Sequence, residues 1–278
     1  MHTYVITDVF TDILLEGNPL AVISGADDLP PERMQRIARE MNLSETVFVL
    51  PAEGDADARI RIFTPSTELP FAGHPTLGTA LLLGESTGGD LIRLKTGAGV
   101  VRVTLERRDG RIVSGRMEQP IPTWAPYDRA DELLAALGVG ASQLPVEAYR
   151  NGPRHAYVTL DSEQAVAALE PDLGALAKLP DLGVGCVAGS GTRWKSRNFA
   201  PSLGVPEDPA TGSAAGPLAV HLARHGRIAY GQEIEIRQGA EIGRPSRLFA
   251  RVEGEGDRID KVEVAGSAVV VARGELRV

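Results

Sequence analysis

Apolar and polar positions change period every few residues along this chain, the pattern of short strands punctuated by a few helices. Residues 1–8 and 18–24 read as strands, followed by strand-like runs over 46–50 and 58–63, the latter alternating as Arg59-Ile60-Arg61-Ile62. Between them Met34, Ile37, Ala38 and Met41 share one face of a helix over 30–41. Pro30-Pro31 stands at its start, where a missing N–H costs little. Gly73-His74-Pro75 opens a second helix through Leu77, Ala80, Leu81, Leu82 and Leu83, apolar nearly all round, which predicts burial. Val101, Val103 and Leu105 then alternate with Arg102 and Thr104, and Asp109-Gly110 turns that strand into Ile112–Met117.

Three prolines in the eight residues Gln119–Pro126 read as a domain linker. This gives one domain over 1–118 and a second over 119–265, with a last strand, 266–278, available to complete the first. Beyond the linker the pattern predicts a helix near 129–137 ending at Gly138, and strands near 155–160, 183–188 and 192–199. Gly212-Ser213 opens a long helix to His225, capped by Gly226, and strands near 233–237, 246–253, 259–264 and 267–273 follow. The halves rhyme. Each has several strands and then a tight glycine loop with an apolar helix behind it, with Pro75 and Pro217 both expected within the first turns.

Charge and cysteine content narrow the function. The balance of 29 Lys and Arg against 37 Asp and Glu gives −8, with no basic stripe, which argues against a nucleic-acid partner. Arg193-Trp194-Lys195-Ser196-Arg197 alternates as the charged face of a strand would. Cys186 is the only cysteine, so neither a disulfide nor a cysteine metal cluster is expected. The first residues lack a basic signal region, and no apolar run nears the roughly 20 residues of a membrane span, so a soluble, cytoplasmic protein is expected.

Phosphate-loop, nucleophile-elbow and His-Glu-x-x-His motifs are absent, and Gly183-Val184-Gly185-Cys186-Val187-Ala188 fails the dinucleotide fingerprint at its last position. His221 and His225 have ligand spacing on a helix, but without a third ligand nearby they read as a partly exposed face. What remains is Glu45, where a helix hands over to an apolar strand, and Asp208, ahead of the second glycine loop. Taken alone, Glu45 reads as a solvated acid and Asp208 as a turn or cap residue. Gly73, His74, Gly212 and Ser213 lie where free amides at a helix start would attract a carboxylate or an enolate, although ordinary glycine turns look the same.

The runs Arg36–Glu45, Phe63-Thr64-Pro65 with Glu68–Pro75, and Glu207–Ala214 resemble the PhzF family of the diaminopimelate-epimerase-like fold, and the likeness covers nearly the whole chain. Asn151-Gly152-Pro153-Arg154-His155 and Ala214–Gly226 look like members that act in phenazine synthesis itself. Many generic relatives carry Ala-His-Cys after the Gly-Ser, where this chain has Ala214-Ala215-Gly216.

The resemblance implies an α+β fold of two pseudo-symmetric domains. Each would be a barrel-like sheet wrapped round a central helix, with the active site in the cleft between them. It also implies a homodimer and an isomerase needing neither cofactor nor metal. Carried over, Glu45 is the proton shuttle, and His74 and Asp208 assist protonation and hold the substrate's amino or hydroxyl end. Gly73, Gly212 and Ser213, with Ser44 beside Glu45, bind it. The epimerase cousins use two cysteines in the places of Glu45 and Asp208, which Cys186 does not occupy. The implied substrate is a small cyclic amino acid, a cyclohexadiene carboxylic acid with an amine and a hydroxyl, isomerised to an amino-ketone that condenses to phenazines. Two other readings are an isomerase or epimerase of another small amino or hydroxy acid, and a non-catalytic binding or scaffold protein on the same fold.

Overall fold

The computed structural model describes residues 2–278. These residues fold into two compact units, one running to Glu118 and including Ala265–Val278, the other Gln119–Val264.

The first unit holds β1 (His2–Val9), β2 (Asn18–Ser24), α1 (Pro31–Met41), β3 (Glu45–Leu50), β4 (Ala58–Phe63), β5 (Glu68–Leu69), α2 (Gly73–Gly84), β6 (Leu91–Thr96), β7 (Gly99–Arg108) and β8 (Arg111–Glu118). β2 pairs antiparallel with β1 and parallel with β3, and β4 joins β3 antiparallel and β6 parallel. β6, β7 and β8 form an antiparallel meander. This sheet wraps α2, which packs against β1, β2, β3, β6, β7 and β8. The near-continuous apolar sequence of α2 is thereby accounted for, since a helix enclosed by sheet has no solvent face. A Cβ at Gly78 would lie 2.6 Å from Val9 Cγ2, so glycine lets β1 come close. α1 covers β2–β4 from the other side, through Met34, Ile37 and Ala38 against Ile23, Phe48 and Phe63.

The second unit holds β9 (Thr123–Pro126), α3 (Ala130–Leu137), β10 (Glu147–Arg150), β11 (Arg154–Thr159), α4 (Glu163–Ala167), α5 (Leu173–Leu176), β12 (Gly183–Ser190), β13 (Arg193–Ala200), β14 (Val205–Asp208), α6 (Gly212–Arg224), β15 (Ile234–Gln238), β16 (Ser246–Glu255) and β17 (Arg258–Gly266), whose last residues pass the boundary. β11 and β12 are parallel, as are β13 and β15, while β9–β10–β11, β12–β13–β14 and β15–β16 pair antiparallel. α6 is the enclosed helix here, buried from Gly212 through Ala223 and packed on β11 and β16. The chain ends with β18 (Ala268–Leu276), antiparallel to β1 in the first unit.

Four expectations are corrected. The proline-rich run is not all linker: Thr123–Pro126 forms β9, with Trp124 opposite Tyr149, because a proline at a strand end gives up no ladder bond. Pro217 is the sixth residue of α6, inside the helix rather than in its first turn. Arg197 does not lie on a charged outer face; it is buried, donates to both Glu207 oxygens and caps the carbonyls of Val166, Ala167 and Leu169 after α4. His221 is fully buried, stacked on Tyr157.

His221 belongs to a polar cluster centred on one oxygen of Glu147. That oxygen accepts from Tyr149 Oη at 2.8 Å, Arg224 Nη1 at 2.8 Å and His225 Nε2 at 2.9 Å. Arg224 also lies 4.3 Å over the Trp124 ring. Burial alone would raise the Glu147 pKa, but hydrogen bonds from His221, His225, Tyr149 and Arg224 prevail and hold it well below the carboxylate range. A depressed carboxylate stabilises the fold above its unfolded pKa of 4.5, and the contribution is lost as pH falls through the folded value. Glu147→Gln is therefore expected to cost about 3–5 kcal/mol at pH 7, because a charge pair loses one partner, and to flatten the acid side of the stability curve. Urea unfolding from pH 3 to 7 measures both; a variant with wild-type stability at pH 7 would contradict the account.

Candidate active site

The two glycine loops open the two enclosed helices, and those helix starts differ from the others. A helix start leaves its first N–H groups unpaired and carries partial positive charge. Of the six α-helices among the described residues, α1, α3 and α4 carry acids in the first turn, and α4 and α5 are capped by Ser162 and Asp172. Only α2 and α6 have neither. Ala72, before α2, has no side-chain acceptor. Thr211, before α6, donates its hydroxyl to Asp208 Oδ2 at 2.6 Å and accepts from Gln238 Nε2 at 2.9 Å. The Thr76 amide bonds the Ala72 carbonyl, and those of Ala214 and Ala215 bond the Thr211 carbonyl. Gly73, His74, Gly212 and Ser213 are left as the helix-end donors.

Glu45 is delivered by the end of α1. Asn42 takes the left-handed conformation at φ 51°, which asparagine tolerates, and the chain reverses through Leu43 and half-buried Ser44 into β3. Glu45 opens that strand opposite Leu20. Its Oε2 lies 3.4 Å from His74 Nε2, the two side chains being 14% and 4% exposed. Asn18 Nδ2 lies 3.3 Å from His74 Nδ1. An amide nitrogen can only donate, so Nδ1 accepts and the ring proton sits on Nε2, facing Glu45. Burial pushes the His74 pKa down to about 3, which keeps the ring neutral.

In the second unit Asp208 ends β14, nearly buried, holding Thr211 by its carboxylate and Gln238 Nε2 by its carbonyl at 2.7 Å. It therefore plays the turn role that its position alone suggests, directly ahead of the open helix start. Pro217 explains much of what surrounds that start. Having no N–H, it leaves the Ser213 carbonyl without its helical donor, and Asn151 Nδ2 donates there instead at 3.1 Å. Gln119 Nε2 donates to the Gly212 carbonyl at 2.7 Å and Tyr157 Oη to that of Ala214 at 2.6 Å. Ser213 Oγ lies 3.1 Å from His155 Nε2.

Within the first unit, then, the structure brings Glu45 and His74 together, with Ser44 in the adjoining turn. Within the second it gathers Asp208, Gly212 and Ser213 around one helix start. Sequence reading missed Asn18, Gln119, Asn151, His155, Tyr157 and Gln238 as supports. Two signals were available: Asn18 heads an otherwise apolar strand, and Pro217 inside a helix demands a substitute donor. A correction concerns His221 and His225, for Glu147 supplies a third group, with all three ligand atoms within 4.8 Å. Arg224, 2.8 Å from the same Glu147 oxygen, already provides the positive charge that a metal would bring. Cys186 is fully buried, its thiol pushed up to about 12 by desolvation, and is no nucleophile.

Comparison with known proteins places this geometry in context. The family model described as phenazine biosynthesis-like protein, PhzC-PhzF, matches residues 7–274. The trans-2,3-dihydro-3-hydroxyanthranilate isomerase of Pseudomonas aeruginosa is 59% identical over 274 residues, 99% of each chain. That of Pseudomonas chlororaphis is 56% identical over 276 residues, again 99% of each. The crystal structure of a Bacillus anthracis phenazine biosynthesis protein of the PhzF family superposes with a TM-score of 0.86 at 25% identity, covering 100% of both chains.

The buried donor role of His74 is open to measurement. Long-range proton–nitrogen NMR is expected to show a neutral His74 ring, protonated on Nε2, throughout pH 5–8, since its pKa near 3 lies below that window. An imidazolium signal at pH 6 would overturn the assignment.

Proposed function

The chain belongs to the PhzC-PhzF family, and from that membership we infer that it is a trans-2,3-dihydro-3-hydroxyanthranilate isomerase of phenazine biosynthesis. Identity of more than half over the full length supports the substrate as well as the reaction class. The α+β fold of two sheet-wrapped helices is that of the same family.

In our reading Glu45 carries the proton. It removes the proton from the ring carbon that bears the hydroxyl and returns it at the far end of the diene, to the carbon that bears the carboxylate; the double bonds shift to give an enol that becomes the amino-ketone. The observation that carries this is the Glu45–His74 pair: a carboxylate at the end of a strand, 3.4 Å from a buried neutral donor that opens an uncapped helix. A ring whose pKa is near 3 takes no proton from a carboxylic acid, so the abstracted proton stays on Glu45 until it is delivered. His74 meanwhile offers an uncharged N–H. The amides of Gly73 and Gly212, with Ser213 and Ser44, hold the substrate's anionic and polar groups, and Asp208 holds its amino or hydroxyl end. Acting through its own carboxylates and amides, the enzyme requires no cofactor or metal. It works as a homodimer in the cytoplasm. No helix among the described residues is long and apolar enough to cross a membrane.

Purified protein, treated with chelator and incubated with dihydrohydroxyanthranilate in D₂O, is expected to consume the diene absorbance and form phenazine-type products. Glu45→Gln should lower that rate by about 10²–10⁴-fold, the usual worth of a positioned acid–base group. A Glu45→Gln enzyme as fast as wild type would remove Glu45 from the mechanism, and untouched substrate with wild-type protein would redirect the assignment to another small acid. Analytical ultracentrifugation gives the oligomeric state, for which a monomer would refute the dimer.

A further inference from the structure

His155 is a buried imidazole to which the family resemblance assigns no role. It is the second residue of β11, directly across from Gly183 of parallel β12, and a Cβ at Gly183 would lie 2.6 Å from its Nδ1. Glycine at that place is what leaves room for the ring. Nε2 reaches Ser213 Oγ at 3.1 Å, while Nδ1 is buried without a hydrogen-bond partner.

The backbone around Ser213 has little freedom. Gln119, Asn151 and Tyr157 donate to the three consecutive carbonyls of Gly212, Ser213 and Ala214, so the first turn of α6 is pinned from β11, from the turn before it and from the connection before β9. What remains adjustable at Ser213 is its hydroxyl rotor. A hydroxyl has one hydrogen to give, and its direction depends on whether the imidazole beside it donates or accepts. Were Nε2 the acceptor, the hydroxyl hydrogen would be spent on His155, and Nδ1–H would become an unpaired donor buried against β12. An unpaired buried N–H is the costlier outcome; a bare ring nitrogen loses only a lone-pair partner. Burial, with Arg150 acting in the same direction and Asp181 opposing it, pushes the pKa down to about 4, so the choice is between two neutral tautomers.

We infer that His155 is a positioning residue for Ser213: its Nε2–H donates to Oγ, which frees the Ser213 hydroxyl hydrogen to serve as a donor to an anionic or carbonyl oxygen of the substrate. The inference rests on the reading above, in which Ser213 binds the substrate, and adds the residue that sets the polarity of that contact. Because His155 does not touch the reacting atoms, its loss shows in binding more than in turnover.

The experiment combines spectroscopy with a mutant cycle. Long-range proton–nitrogen NMR on wild-type protein at pH 6–8 is expected to show His155 neutral and protonated on Nε2, a result independent of activity. His155→Ala should raise KM about tenfold while changing kcat less than threefold, and His155→Gln, which retains an N–H donor, should recover most of the loss. In a Ser213→Ala background His155→Ala should add no further loss, since the contact it serves is gone. An Nδ1–H tautomer, or fully additive losses in the double variant, would overturn the inference. If His155→Ala does not fold, the wild-type tautomer and the His155→Gln kinetics still decide. Wild-type protein inert toward dihydrohydroxyanthranilate would sink the functional reading instead, and the tautomer alone would then settle the inference.

Discussion

A helix enclosed by sheet can meet a small polar molecule only at its ends, and that constraint organises both units. The bodies of α2 and α6 are buried against strands. Their first amides, however, have no intrahelical acceptor, and a buried amide without a partner costs free energy. The other helices resolve this locally, with an acid in the first turn or a side-chain cap. At α2 and α6 the local solutions are withheld: alanine stands at one cap position, and the threonine at the other is committed to Asp208 and Gln238. In the proposed reading an anionic oxygen of the substrate takes that place, since a helix end offers it both donors and partial positive charge.

Keeping such a start rigid without a cap requires support from the other side, and the carbonyls provide it. Pro217 costs α6 one backbone bond, yet that vacancy lets Asn151 grip the Ser213 carbonyl from outside the helix. Gln119 and Tyr157 hold the adjacent carbonyls. Side chains that look unrelated in sequence thus act on one turn of backbone, and their function is to keep the amides of that turn pointing where they do.

Much of the fold was legible because its signals are periodic. The apolar run behind Gly73-His74-Pro75 identifies α2 as enclosed, and the alternation at Val101, Val103 and Leu105 places β7. Glu68–Leu69, Glu147–Arg150 and Val205–Asp208 form strands of four residues or fewer, too short to show a period. The candidate loops were visible through glycine and through likeness to a known family, but their supports were not, because Asn18 reaches His74 across 56 residues of sequence and Gln119 reaches Gly212 across 93. His221 was misread for the same reason: its helical spacing suggests a surface stripe, whereas Tyr149, Tyr157 and Glu147 arrive from β10 and β11 to bury it.

Burial treats the histidines alike and the structure then uses them differently. His74, His155 and His221 are all driven toward the neutral form by desolvation. A neutral ring is a donor at one nitrogen and an acceptor at the other, so its effect depends on which nitrogen a neighbour claims. Asn18 claims Nδ1 of His74, which turns Nε2–H toward Glu45. In the proposed reaction this matters twice. An imidazolium at that position would hold Glu45 as a carboxylate by charge and resist the half-reaction in which the acid must carry a proton. A neutral donor contacts Glu45 in either state without forcing one upon it, and so allows a single carboxylate to serve as base and then as acid.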